Sequence, residues 1–178
     1  MKRLIALAAC LTAMTSAACA ALPVGAMAPD FSAQASQGGK QSSFKLSEAL
    51  KKGPVVLYFF PSAFTSGCTL EAHEFAEASA DYKKLGATLI GVTAGAIERL
   101  NEFSVSECRS KFPVAADPKA AIAGQYKSTI PLIGMSDRTS YVIAPGGKII
   151  FVYSAMAPDK HVSQTLAAVK TWRAAHPA

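Results

Sequence analysis

The stretch from Pro54 to Glu71, Pro-Val-Val-Leu-Tyr-Phe-Phe-Pro-Ser-Ala-Phe-Thr-Ser-Gly-Cys-Thr-Leu-Glu, constrains the fold of this chain more than any other. Val55 to Phe60 is an unbroken β-branched and aromatic run without polar alternation. Such a run suits a central strand buried on both faces. Pro61 stops it. From Thr69 onward, Leu70, Phe75 and Ala76 among Glu and His residues give the pattern of an amphipathic helix ending at Lys83-Lys84-Leu85-Gly86. Its glycine stands where a C-terminal cap belongs. The stretch therefore predicts a strand, a loop and a helix start in succession, with Cys68 in the first helical turn. Unpaired backbone N–H groups and the positive end of the helix dipole favour a thiolate there. The acidic Glu71 nearby acts in the opposite sense.

The 178 residues are enough for one domain with a substantial core. Met1-Lys2-Arg3, an alanine-rich apolar stretch to about Met14 and Ala18-Cys19-Ala20 match a signal peptide with cleavage expected after Ala20. The expected organisation is a signal peptide over 1–20 and a single domain over 21–178. The apolar stretch falls short of the ~20 residues of a membrane span, so no stable membrane insertion is expected after cleavage. Leu7-Ala8-Ala9-Cys10 has the local look of a lipid-attachment box, but the apolar region before it is too short for a normal signal. Of the four cysteines, Cys10 and Cys19 would leave with the signal, and Cys68 and Cys108 would remain as an even pair in an exported protein. A disulfide is one use of such a pair. Losing Lys2 and Arg3 lowers the formal net charge from +6 to +4, with the remaining basic residues scattered. Nucleic-acid binding has no support in that pattern. His73, His161 and His176 are too dispersed to suggest a metal site and read as surface or lightly packed residues.

The rest of the mature chain follows in order. Phe31 to Phe44 predicts two short strands around the turn Gln37-Gly38-Gly39-Lys40. A short helix follows with Ser47 as its expected cap. Ala87 to Thr93 is a second buried strand, and Ala96 to Lys111 is helical in pattern and carries Cys108. A short strand and turn at Phe112 to Pro118 precede an alanine-rich helix over Lys119 to Tyr126, and Lys127 to Asp137 reads as a surface loop. Tyr141-Val142-Ile143, the turn Pro145-Gly146-Gly147 and Lys148 to Tyr153 predict a hairpin, and His161 to Arg173 a closing helix. Strands alternating with helices, then a hairpin, argue a mixed α/β sheet with helices on both sides.

Pro61, Thr65 and Cys68 fit the Pro-x-x-x-Thr-x-x-Cys signature of the peroxiredoxins. Thr65-Ser66-Gly67-Cys68-Thr69-Leu70-Glu71-Ala72 resembles the bacterioferritin comigratory protein (PrxQ) branch in particular. Gly25 and Ala28-Pro29-Asp30-Phe31 resemble the opening of that family. Arg138-Thr139-Ser140-Tyr141-Val142-Ile143 with Gly146-Gly147-Lys148-Ile149 resembles its later arginine-bearing strand and turn. The resemblance implies a thioredoxin-like fold with an added N-terminal β-hairpin. It further implies reduction of hydrogen peroxide or organic hydroperoxides by a peroxidatic Cys68, without metal, haem or flavin.

In that chemistry a thiolate cleaves the O–O bond, so the site must hold an ionised sulfur and stabilise the charge of the departing oxygen. Arg138 is the candidate cation, since a flat, permanently protonated guanidinium can address sulfur and peroxide together. Read without the resemblance, it is an arginine in a surface salt bridge with Asp137. Thr65 is the candidate hydroxyl for the peroxide and also an ordinary helix cap. Pro61 stiffens the turn after the strand, and by resemblance it shields the cysteine. The branch's common resolving position, five residues after the first cysteine, is His73 here. The remaining resolving candidate is Cys108, as in the variant with an inter-helix partner, and a permanent structural disulfide is the competing use. Gly67 would ease the unwinding such a pairing needs. A dithiol reductant such as a thioredoxin-like protein is the expected partner, the bacterial periplasm the expected location, and the oligomeric state is left open. Two rival functions are a thiol-disulfide oxidoreductase, disfavoured by the lack of Cys-x-x-Cys, and a secreted binding module stapled by one disulfide.

Overall fold

A computed structural model describes residues 21–177 of the protein, and the expected signal segment lies outside them. The N-terminal hairpin pairs β1 (Ser32–Gln37) with β2 (Lys40–Lys45), closing on Gly38 and Gly39, both at positive φ as a two-residue turn of this kind requires. Then come α1 (Leu46–Leu50), β3 (Val55–Phe59) and α2 (Ser66–Lys84). They are followed by β4 (Thr88–Thr93), α3 (Ile97–Ser106), β5 (Val114–Ala116) and α4 (Ala121–Gln125). A two-residue hairpin, β6 (Thr129–Ile130) with β7 (Met135–Ser136), leads to β8 (Thr139–Ile143), β9 (Ile149–Ser154) and α5 (His161–Ala175). Seven strands form one mixed sheet in the order β2-β1-β5-β4-β3-β8-β9, with β3 parallel to β4 and antiparallel to β8. This is the mixed α/β sheet expected, with the hairpin added at its edge.

The unbroken apolar run of β3 feeds two cores. Val55, Leu57 and Phe59 point into one, with residues of α1 and α4. Val56, Tyr58 and Phe60 point into the other, with α2, α3 and α5. Period-two geometry sends successive side chains to opposite faces, so a strand covered on both faces must be apolar throughout. Gly91 on β4 has a packing reason: a β carbon there would lie 2.7 Å from the Tyr58 ring. At the end of α2, Gly86 adopts φ 69° and donates to Lys83 O at 3.0 Å, while Ala87 N reaches Tyr82 O at 2.9 Å. The predicted glycine stop is therefore a helix cap.

Four local expectations are corrected. Ser47 does not cap α1 with its side chain; instead its N–H donates to Asp30 Oδ1 at 2.9 Å. The helix carrying the second thiol is shorter than predicted: α3 stops at Ser106, and Cys108 sits in the following turn, before Arg109 (φ 48°) and Ser110 (φ 57°) in the left-handed region. Lys127 to Asp137 is only partly a surface loop. Leu132 and Ile133 at its tip are exposed, but Ser128 and Ser136 are buried, and Ser136 Oγ donates to Phe60 O at 2.7 Å. His161 is not a surface residue; it opens α5 fully buried.

Candidate active site

The chain leaves β3 through Pro61, whose carbonyl accepts a hydrogen bond from Thr93 Oγ1 at 3.3 Å. The loop then passes through Phe64 in the left-handed region at φ 65°. For a bulky residue that conformation costs on the order of 1–3 kcal/mol and persists only where neighbours impose it. Phe64 meets Phe103 edge-on at 5.2 Å and lies 5.4 Å from the Arg99 guanidinium carbon, while Arg99 Nη2 holds Ala63 O at 3.2 Å. Thr65 is the extended residue before α2, and its carbonyl takes the Thr69 N–H at 2.8 Å. Its hydroxyl does not cap the helix; it donates to Ser62 O at 3.1 Å, which leaves the oxygen lone pairs free to accept.

Cys68 is the third residue of α2 and only 1% exposed. With Glu71, Ala72, Phe75 and Ala76 it lies on the buried stripe of the helix, at the i, i+3, i+4 spacing of such a face. Arg138, between β7 and β8, reaches it from the sheet. Nη2 donates to Cys68 Sγ at 3.4 Å, Nη1 donates to Glu71 Oε2, and Nε donates to Met156 O at 2.9 Å. Each arm of the planar fork has its own acceptor, a division that a lysine could not reproduce. Arg138 is thus no surface salt-bridge residue. Asp137 instead accepts from Thr139 Oγ1 at 2.7 Å. Gly67 leaves room for the guanidinium, since a β carbon there would stand 3.2 Å from Nη2.

Arg138 faces three further buried titratable side chains, Glu71, His161 and Tyr58. Glu71 is wholly buried, and burial pushes its carboxyl up to about 8 against the opposing pull of Arg138. Its Oε1 has no hydrogen-bond partner among the described residues and lies 3.7 Å from His161 Nδ1. Tyr58, on β3, buries a hydroxyl without a partner among the described residues. Burial above all holds that phenol well above its ordinary range. In the sequence Glu71 was visible only as an acid near Cys68 that acts against its ionisation; the predicted apolar position beside it, Leu70, is in fact exposed and Glu71 is the buried one. No local signal tied it to His161, which is remote in sequence.

Cys108 shares the apolar core of Cys68 but, among the described residues, has no cationic contact like that of Arg138 with Cys68. It is fully buried, and desolvation raises its thiol far above the ordinary range, with Glu107 adding to the effect. Among the described residues, Cys68 and Cys108 form no disulfide. Two polar contacts tie α2 to the turn that holds Cys108: His73 Nε2 with Glu107 Oε2 at 2.9 Å and the ion pair of Arg109 Nη1 with Glu77 Oε1 at 3.2 Å.

The sequence model of the AhpC/TSA family matches residues 24–152. The chain is 30% identical over 156 residues to the chloroplastic peroxiredoxin Q of Triticum aestivum, covering 86% of this chain and 70% of that protein. The crystal structure of peroxidoxin BcpB from Mycobacterium tuberculosis superposes with a TM-score of 0.74 at 28% identity, over 83% of this chain and 96% of that one. AhpC of Mycobacterium tuberculosis, at 18% identity and a TM-score of 0.76 over 89% of this chain and 97% of that one, is a likeness of fold alone.

Proposed function

The chain belongs to the AhpC/TSA family of peroxiredoxins, a thiol peroxidase with a thioredoxin-like fold, and on that premise we propose that Cys68 is its peroxide-reactive thiol and Cys108 its resolving thiol. The observation that carries the first half is the 3.4 Å contact from Arg138 Nη2 to Cys68 Sγ inside a buried charged cluster. A thiolate there attacks one peroxide oxygen. The S–O bond forms, the O–O bond breaks, and the second oxygen departs with the electron pair and takes a proton. Arg138 stands where the departing charge develops, and a donor of that kind is worth roughly 100-fold or more in rate. Thr65, with its lone pairs unspent, is the proposed acceptor for the peroxide hydrogen. Pro61, which lacks an N–H, is the proposed shield beside it.

Resolution joins two thiols that begin in different states. Cys68 as sulfenic acid is attacked by the Cys108 sulfur, an S–S bond forms, and water leaves. Burial disfavours ionisation of the Cys108 thiol in its apolar site, so the step requires the start of α2 or the turn at Cys108 to open. The left-handed residues Phe64, Arg109 and Ser110 flank those two segments. A dithiol donor, thioredoxin-like or of related chemistry, then reduces the bond, and hydrogen peroxide and organic hydroperoxides are the substrates. The pattern of residues 1–20 supports export, with the bacterial periplasm as destination.

Peroxide consumption by the reduced protein with a dithiol donor, followed in wild type and Cys68→Ser, tests the assignment. Activity is expected in the first and only background in the second. Mass spectrometry after one equivalent of peroxide is expected to show a Cys68–Cys108 bond within a single chain. If Cys108 stays free while Cys68 is oxidised and recycled, the protein works with one cysteine. A structural bond would instead be present before peroxide, and its reduction would lower stability by ~2–5 kcal/mol without creating activity.

A further inference from the structure

Arg138 divides its terminal nitrogens between Cys68 and Glu71, and the second Glu71 oxygen is left facing His161. A buried carboxylate oxygen without a donor is a costly arrangement. His161 Nε2 lies 2.9 Å from Ala155 O, which can only accept, so Nε2 carries a hydrogen. Nδ1 lies 2.8 Å from Ser140 Oγ. That hydroxyl can donate to a bare Nδ1 or accept from a protonated one, so the imidazole can gain or lose a proton at Nδ1 without turning.

We propose that Glu71 and His161 are a buried positioning pair that holds one proton while Cys68 is a thiolate and gives it up when the sulfur loses its charge. The inference rests on the peroxidatic reading of Cys68 above. A thiolate and a guanidinium cancel, and a bare carboxylate beside them would leave one buried negative charge uncompensated. The proton of the pair removes that charge and leaves Arg138 to the sulfur. Once Cys68 is a neutral sulfenic acid, the guanidinium is balanced by the Glu71 carboxylate, and the proton is no longer held. The step then balances: thiolate, hydrogen peroxide and the proton of the pair give sulfenic acid and water. The sulfur loses two electrons to the departing oxygen, and the proton neutralises the hydroxide so formed.

The surroundings favour retention of that proton. Burial favours the neutral carboxyl of Glu71 and disfavours an imidazolium at His161, so the proton resides mainly on the carboxyl oxygen facing the ring. Glu74 on α2 raises the proton affinity of Glu71, Asp159 before α5 raises that of His161, and Arg138 opposes both. Tyr153 on β9 packs its ring 4.8 Å from the imidazole, and Tyr58 on β3 lies within the field of Glu71.

The direct test is an NMR titration of the Glu71 carboxyl carbon and the His161 ring nitrogens in the reduced protein, compared with Cys68→Ser. The pair is expected to lose its proton at a higher pH in wild type than in Cys68→Ser, by at least about one unit, a tenfold change in proton affinity. Identical titrations, or a pair that carries no exchangeable proton near neutrality, overturn the proposal. The second measurement is the pH profile of Cys68 oxidation by hydrogen peroxide. The rate should fall as the pair deprotonates, the fall should begin at lower pH in His161→Asn, and it should vanish in Glu71→Gln, whose amide cannot ionise. A uniform loss of rate with an unmoved profile means that both residues only pack. If peroxide does not oxidise Cys68 at all, the peroxidase reading fails, while the NMR comparison still decides the proton question by itself.

Discussion

Cys68 and Cys108 lie in the same core on the same face of one sheet, and both are almost fully buried. Burial alone suppresses ionisation of a thiol, which is the state of Cys108. Cys68 differs in what surrounds its sulfur: a guanidinium donor at 3.4 Å, a helix start, and an acid behind that guanidinium. On the proposed assignment, reactivity in this core is conferred by a few fixed polar partners rather than by exposure. The comparison also separates the two steps of the proposed cycle: the first needs the pocket intact, and the second needs it to open.

The largest effect should come from removing the favoured thiol. Cys68→Ser should reduce peroxide turnover to background, because a hydroxyl does not ionise near neutral pH. Removing the partner that distinguishes the two sites comes next. Arg138→Met should slow Cys68 oxidation roughly 100-fold or more in stopped flow, and an unchanged second-order rate would return the guanidinium to a structural role. Cys108→Ser should leave that first rate within about twofold while recycled turnover collapses and Cys68 over-oxidises. Equal losses in both steps would mean that the two environments are not independent. Gly67→Ala places a β carbon against Nη2 of Arg138. The displacement should cost ~1 kcal/mol, on the order of a fivefold slower first step.

The smallest effect concerns stability and pH. Folding raises the Glu71 carboxyl from its ordinary value to about 8. Between those values the folded state binds the extra proton, so this group lowers stability as pH rises through the window and contributes no further slope above it. Denaturant melts across pH 5 to 9 should show a downward slope in wild type that is reduced in Glu71→Gln. Parallel curves would show that Glu71 is not protonated in the fold.

The order of strands and helices was legible because β3, α2 and the hairpin of β8 and β9 carry strong local patterns. Val55 to Phe60 is apolar throughout because both faces are covered, and Gly86 marks a helix end because only a residue without a β carbon accepts φ 69° there at little cost. What local pattern missed depends on partners remote in sequence. The cap on α1 comes from Asp30 through a turn of the chain, and α3 stops at Ser106 although the sequence pattern was read as helical to Lys111. Cys68, Thr65, Pro61 and Arg138 were legible as candidates through their family signature. The structure brings Cys68 to Arg138 and to Glu71, while His161 could not be foreseen, because nothing in a lone histidine at a helix start announces a carboxyl 3.7 Å away.

The central claim is that environment, not exposure, selects Cys68 over Cys108 for peroxide. The measurement that addresses it most directly is site-resolved trapping of sulfenic acid with a carbon nucleophile. Fully reduced wild type would receive less than one equivalent of hydrogen peroxide, be quenched within milliseconds, and be analysed by mass spectrometry at both cysteines. Trapped product at Cys68 with an unmodified Cys108 is the predicted result. Product first at Cys108, or equally at both, would contradict the account.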